Sequence, residues 1–202
     1  MMDTVSALIL AGGRSRRMGR DKAFLSLPDD EQRTAQRSFA EQLGTLLSSL
    51  CPEVVFVARD PAQCAGQNLP GVRIVFDEVP DYGPLMGLYS GLRAIHTSHA
   101  LVVAVDMPFV QPAFLAFLLS QPLDEAILMP VVADTPQVLL AIYPRTLLPL
   151  IEDRLRSGRR DPRSLLDVAL VRYIPEAQLR QIDPQLRSFI NLNTPEDLTK
   201  FP

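Results

Sequence analysis

The sequence is poor in lysine, cysteine and histidine, and each shortage narrows what the protein can be. Lys22 and Lys200 are the two lysines among 20 basic residues, so 18 of the cations are arginine. Against 23 acidic residues they leave a net charge of −3. No global basic field is available to hold nucleic acid or an anionic membrane. The two cysteines, Cys51 and Cys64, have no histidine close by. Their spacing fits neither a zinc ribbon nor a CxxC redox pair, and two cysteines cannot staple a chain of 202 residues. A reducing, cytoplasmic setting is expected. The two histidines, His96 and His99, make a weak metal site without a third ligand, and a surface position near a helix end is expected for both.

Long apolar runs are also missing. None approaches the ~20 residues needed to cross a bilayer, and Ala100–Val105 is cut short by Asp106. The stretch Val5–Ala11 follows Asp3 and ends in Gly12-Gly13, unlike a signal peptide with its basic start. What remains is 47% hydrophobic and 21% charged, as expected for a soluble globular chain forming one domain over 1–202.

The apolar pattern alternates between strand and helix. Val5–Leu10 is a short continuous apolar run, predicted as a strand buried on both faces, and Glu53–Ala58, Val72–Phe76 and Ala100–Val105 are predicted as further strands. Residues recurring at three and four from Gln32 to Leu50 predict an amphipathic helix. Gly83-Pro84 opens another, to about His96, with Pro at home in a first turn. Further helices are expected over Pro112–Leu119, Arg145–Arg156, Arg163–Ala169 and from Thr194-Pro195. Further strands are expected over Ala126–Met129, Val138–Tyr143 and Val171–Ile174. This order predicts an α/β fold, a mostly parallel sheet with helices on both faces. Ligands of such sheets bind outside the carboxyl ends of the strands, near the switch in strand order. The loops after Leu10 and after Val105 are therefore the places to search.

The first loop, Leu10 to Lys22, reads LAGGRSRRMGRDK and holds three of the ten glycines and five of the twenty cations. Glycines let backbone amides close around an anion, and Arg14, Arg16, Arg17, Arg20 and Lys22 supply the charge a polyphosphate needs. A solvated basic turn is the competing reading. Spacing excludes a Walker A loop, because five residues separate Gly13 from Gly19 and Arg20 follows. A dinucleotide fingerprint fails too, with Arg14 where its second glycine belongs. Lys22, a flexible point charge in an arginine-dominated chain, is the first candidate to follow a reacting phosphoryl group; a surface pair with Asp21 is the alternative. Asp106 ends an apolar strand, where its carboxylate suits Mg²⁺ or caps the turn before Pro108. Gly83, Gly87 and Gly91 share one helix face, bare for a nucleotide base or for close packing, the latter preferred at Gly91. Asn191 and Asn193 alternate along an extended segment and so face the same side.

LAGG-x-S-x-RMG-x-DK closely resembles the signature of the molybdenum cofactor guanylyltransferases (MobA-like proteins). Asp77, Gly83-Pro84-Leu85-Met86-Gly87, Val105-Asp106-Met107-Pro108-Phe109 and Asn191-Leu192-Asn193-Thr194-Pro195 agree in the same order along nearly the whole chain. The resemblance implies a nucleotide-diphospho-sugar transferase-like fold and transfer of GMP from GTP to molybdopterin, releasing pyrophosphate. It implies Leu10, Ala11, Gly12, Gly13, Lys22, Asp77, Gly83, Gly87 and Asp106 as nucleotide-binding, with Lys22, Arg16 and Arg17 acting on the phosphates and Asp106 on Mg²⁺. It further implies Asn191, Asn193 and Arg159 for the acceptor, and biosynthetic proteins or recipient molybdoenzymes as partners. One departure stands out: members often carry Asn near Val57, where this strand reads EVVFVARD and Arg59 is the nearest substitute. CMP transfer from CTP is the rival activity; relatives doing so tend to read LAAG, with Ala at the place of Gly12. A sugar-phosphate enzyme would usually carry Pro at the place of Asp21. A nucleotide carrier without turnover is the rival of another class.

Overall fold

Val5–Leu10 forms a strand, β1, because its six residues are apolar or small and every one is buried. The computed structural model describes residues 5–11, 22–25 and 37–192. Helix α1 (Phe39–Ser48) starts well after Gln32, and the capping of Ser38 is the reason. The Ser38 hydroxyl accepts from the Glu41 amide at 3.3 Å, while the Ser38 amide donates to the Glu41 carboxylate at 2.7 Å. This reciprocal pair fixes the first turn. The expected start, at residues 32–36, lies outside the described residues.

The chain continues through β2 (Val54–Ala58), β3 (Arg73–Phe76), α2 (Pro84–Ala94), β4 (His99–Ala104) and α3 (Pro112–Leu119). Then follow β5 (Ile127–Val132), β6 (Thr135–Pro136), β7 (Leu140–Pro144), α4 (Leu148–Arg156), β8 (Val171–Ile174) and α5 (Glu176–Ile182). The sheet order is β3-β2-β1-β4-β7-β5-β6, with β8 also paired to β5. β1, β2, β3 and β4 are parallel neighbours, whereas β7 runs antiparallel to both β4 and β5. The sheet is mixed, with β3, β2, β1 and β4 parallel on one side and β8 parallel to β5 on the other.

Alternation along the strands sorts the core. Ala7 and Ile9 of β1 face Phe39, Leu43 and Leu47 of α1, Phe114 and Leu118 of α3, and Leu179 of α5. Leu8 and Leu10 face the other way, toward Leu85, Leu88 and Leu92 of α2 and Ile151 and Leu155 of α4. Both faces are thus covered, as the continuous apolar strands require.

Several elements depart from the sequence reading. Arg163–Ala169 is not a helix; only a single 3₁₀ turn, Pro162–Leu165, forms after Asp161 accepts from the Arg163 amide at 2.8 Å. Helix α5 is not among the elements expected from the sequence: it buries only Leu179, and over seven residues Leu179 and Ile182 are too few to mark a helical period. His99 is buried rather than exposed: it opens β4, and its Nε2 lies 2.9 Å from the Asp124 carbonyl oxygen. His96 is exposed as expected. The helix expected from Thr194 lies outside the described residues. Among those described, no helix is long and apolar enough to cross a membrane.

Candidate active site

The chain runs from β1 outward to β2 and β3, then returns to place β4 on the other side of β1. The reversal leaves a crevice at the carboxyl ends of these strands. Backbone hydrogen bonds extend one step past the strands and lock that edge together. Ala11 N–H donates to Val57 at 3.0 Å, Asp77 N–H to Ala58 at 2.9 Å, and Val105 N–H to Leu10 at 3.0 Å. Leu10, Ala11, Arg59, Asp77 and Asp106 are therefore gathered on one edge.

Leu10 and Ala11 are buried, so their role at this edge is to carry backbone into the glycine loop. Gly12, Gly13, Arg16, Arg17 and the rest of the loop to Asp21 lie outside the described residues, as does Asn193. Lys22 begins a 3₁₀ turn, Lys22–Phe24. Ala23 is fully buried behind it, and the Phe24 ring packs 6.0 Å from that of Phe56 in β2. The chain is pinned to the core at the point where the loop ends.

Asp77 follows β3 and is only 8% exposed, with its Oδ1 buried and without a hydrogen-bond partner among the described residues. Burial pushes its carboxyl up to about 7, with Arg59 pulling it down and Asp81 raising it further. An unsatisfied buried carboxylate oxygen is costly, of order 1–3 kcal/mol or more, and marks a place where an N–H donor is wanted. A Cβ at Gly87 would lie 3.5 Å from that same Oδ1, 3.7 Å from Leu10 and 3.9 Å from Val57. Gly87 thus forms a bare wall beside Asp77.

Gly91 of α2 and Gly83, its N-cap, each lie close to other parts of the chain. A Cβ at Gly91 would lie 2.7 Å from Leu8 and 3.1 Å from Val57, so this glycine lets helix and sheet pack closely. Gly83 has φ +92° and would clash at 2.9 Å with the Arg160 carbonyl oxygen. Leu85 N–H donates to that oxygen at 2.9 Å, and the Arg160 guanidinium lies 4.8 Å over the Tyr82 ring. The Arg159–Arg160 turn is docked on the start of α2, with both side chains exposed. We expect Gly91→Ala to lower the melting temperature through overpacking worth about 1–3 kcal/mol and to leave ligand affinity unchanged. Gly87→Ala should keep the melting temperature, because the added methyl meets only ordinary contacts, yet obstruct whatever binds beside Asp77. Thermal melts paired with nucleotide titrations separate the two.

Asp106 is half-buried in the turn after β4. Its carbonyl oxygen accepts from Leu192 N–H at 2.9 Å, which brings the exposed Asn191 to the same edge. No group of three His, Cys, Asp or Glu side chains capable of holding a metal occurs among the described residues. One hard carboxylate at this sheet edge nevertheless fits Mg²⁺, which takes one or two carboxylates and fills its sphere with phosphate oxygens and water.

Val57, where a polar nucleotide contact might have been sought, is buried under Gly87 and Gly91 and offers nothing to a ligand. The polar groups at the end of β2 come one turn later. Arg59 Nε donates to Asp60 Oδ2 at 2.7 Å, and Gln63 is buried among them. Gln63 and Tyr82 went unrecognised in the sequence. For Gln63 a signal existed: Asp60-Pro61 is a cap followed by Pro at N1, which foretells the turn Pro61–Cys64 that carries it.

Known proteins agree with this geometry. Residues 7–177 match the MobA-like NTP transferase domain. A probable molybdenum cofactor guanylyltransferase of Chloroflexus aggregans is 40% identical, the alignment covering 96% of this chain and 91% of that one. The molybdenum cofactor guanylyltransferase of Desulfosudis oleivorans is 33% identical over 98% of this chain and 95% of its own. Among solved structures, molybdopterin-guanine dinucleotide biosynthesis protein A of Archaeoglobus fulgidus superimposes with a TM-score of 0.78 at 29% identity, covering 97% and 96% of the two chains. A cytidylyltransferase of Thermus thermophilus shares the fold at a TM-score of 0.66 and 16% identity, covering 98% and 96%. With its edge of strand-end carboxylates, its mixed sheet and these matches across nearly all its length, the chain belongs to the MobA-like NTP transferase family of nucleotidyltransferases.

Proposed function

We propose that this chain works as one nucleotidyltransferase domain, transferring GMP from GTP to the terminal phosphate of molybdopterin. An acceptor phosphate oxygen attacks the α-phosphorus of GTP, a new P–O–P bond forms, and the bond to the β-phosphate breaks to release pyrophosphate. The acceptor brings its own nucleophile, so the protein needs no covalent intermediate. Catalysis is positioning of two anions and neutralisation of the leaving charge. The relatives named guanylyltransferases support the acceptor and the base, and the orphaned Oδ1 of Asp77 is the observation in this chain that carries the reading.

Guanine presents two adjacent donors, N1–H and the 2-amino group, with an acceptor at O6. An ionised carboxylate accepts both donors at once. Cytosine offers one donor and two acceptors on its pairing edge and leaves such a carboxylate half satisfied. Gly87 gives the ring room beside Asp77, while the loop after Ala11 and Lys22 hold the triphosphate. Asp106 would hold Mg²⁺, which when bound supplies positive charge to the phosphates. Arg159, Asn191 and Asn193 are the residues assigned to the acceptor. The test is pyrophosphate release on adding molybdopterin, with GTP, CTP and ATP compared. Release from GTP alone is expected; a preference for CTP overturns the assignment, and nucleotide binding without release makes the chain a carrier.

The raised Asp77 value fixes a pH dependence. The ionised form reads guanine, so GTP affinity should rise as pH passes upward through about 7 and fall below it. Stability of the free chain runs oppositely. Its folded carboxyl titrates near 7 against an ordinary 3.8, so the folded state holds the extra proton between those values and loses stability as pH rises. Asp77→Asn should remove both dependences, stabilising the free chain at pH 8 while weakening GTP. Nucleotide titrations and melts at pH 6 and 8 check this.

A further inference from the structure

We infer that Gln63 is a positioning residue that fixes Ala11, at the end of β1, against Arg59, at the end of β2, and so sets the edge on which the nucleotide is held; this rests on the function proposed above. Gln63 is 8% exposed and sits in the turn between β2 and β3. Its Nε2 donates to the carbonyl oxygen of Ala11 at 2.9 Å, across 52 residues of sequence. Its Oε1 accepts from the backbone N–H of Arg59 at 2.7 Å. A carbonyl can only accept and an N–H can only donate, so the two partners fix the amide orientation and only an amide side chain satisfies both.

The two groups it joins belong to different halves of the site. Ala11 is the last described residue before the glycine loop, where the triphosphate is expected. Arg59 leads from β2 toward Asp77, whose carboxyl it influences. The pairing of β1 with β2 ends at the bond from Ala11 N–H to Val57, and Gln63 carries the connection on to Arg59. The turn is itself held rigid: the Asp60 carboxylate is divided between the Gln63 amide, through Oδ1 at 2.9 Å, and the Arg59 guanidinium, through Oδ2 at 2.7 Å. Backbone, side chain and charge at the end of β2 are therefore set together, and the Gln63 side chain ties them to Ala11 beyond the last bond of the strand ladder.

The substitution Gln63→Met keeps the volume and deletes both side-chain bonds. Gln63→Glu keeps an acceptor for Arg59 but sets a carboxylate oxygen against the Ala11 carbonyl. Amide hydrogen exchange at Arg59 and GTP affinity by fluorescence titration, both on the full chain, are the readouts. In Gln63→Met, Arg59 exchange should accelerate at least about tenfold, and the Kd for GTP should rise about 10–100-fold, the usual cost of removing a group that orients a binding residue. In Gln63→Glu the Arg59 amide should stay protected while GTP affinity still falls. A lowered melting temperature with unchanged GTP affinity in both variants overturns the inference and leaves Gln63 a purely structural residue. Should Gln63→Met not fold, Gln63→Glu alone decides between these outcomes. Failure of the unsubstituted chain to bind GTP overturns the proposed function itself, and shows before any variant is made.

Discussion

Asp106→Asn is expected to lower turnover at ordinary Mg²⁺ by about 10²–10³-fold, the worth of one preorganised charge-stabilising contact in a phosphoryl-transfer site, while the protein stays folded. Asn keeps the shape and removes the charge. The place of Asp106 in its turn is held by backbone, through the bond from Leu192 N–H to its carbonyl oxygen and that from Met107 N–H to Ala104. The fold should therefore tolerate the change. Hard cations prefer an anionic oxygen to an amide carbonyl, so Mg²⁺ affinity and activity should fall together, and excess Mg²⁺ should restore part of the rate. Titrating Mg²⁺ in a pyrophosphate-release assay, beside a thermal melt, measures both quantities. A variant that unfolds while its residual activity keeps the normal Mg²⁺ dependence would show Asp106 to be a turn cap, with the metal held elsewhere.

The parts of this site legible in the sequence are those set by local pattern. β1 and β4 announce themselves as unbroken apolar runs that stop at a glycine pair and at Asp106, so the edge they present follows directly from the chain. Asp77 was placed correctly at a strand end for the same reason, but its burial and its orphaned oxygen depend on α2 lying across it at Gly87. The antiparallel course of β7 was not legible, because a short apolar strand carries no mark of direction. Direction comes from pairing: β7 lies between β4 and β5 and runs antiparallel to both. His99 misled because its position after a helix suggested solvent, whereas strand pairing and the Asp124 carbonyl draw it inward. Gln63 escaped because its two partners lie 52 and four residues away, and nothing local to DPAQC names Ala11.

These gaps share a cause that bears on function. The groups most readable in the sequence, the glycine loop and the strand-end carboxylates, contact ligand in the proposed reaction. The groups that fix their relative positions, Gln63 at the end of β2 and Tyr82 beneath Arg160, act through long-range contacts. Tyr82 also donates from its hydroxyl to the Leu155 carbonyl at 3.3 Å, tying the segment before α2 to α4, whose following turn bears Arg159 and Arg160. The site is thus assembled from local signals and held by non-local ones.

Lys22→Ala should cut the chemical step more than it weakens GTP. Lys22 stands at the junction between the glycine loop and the core, followed at once by the buried Ala23 and by Phe24 against Phe56. Its backbone is therefore anchored, and losing the side chain should cost little stability. Charge shifts from the α-phosphorus toward the leaving pyrophosphate as the bond breaks, and a flexible ammonium can follow it. Interactions that strengthen only in the transition state lower kcat, whereas those equal in the ground state move KM. In the proposed reaction the arginines of the loop would remain to hold the triphosphate in the ground state. The expected result is a kcat lower by about 10²–10³-fold with the KM for GTP changed less than about tenfold. Lys22→Arg keeps the charge but replaces a mobile point by a planar fork, so it should recover only part of the rate. Single-turnover measurements at saturating GTP report the chemical step directly. Near-normal turnover of Lys22→Ala under those conditions would remove Lys22 from the chemistry and pass its role to Arg16 and Arg17.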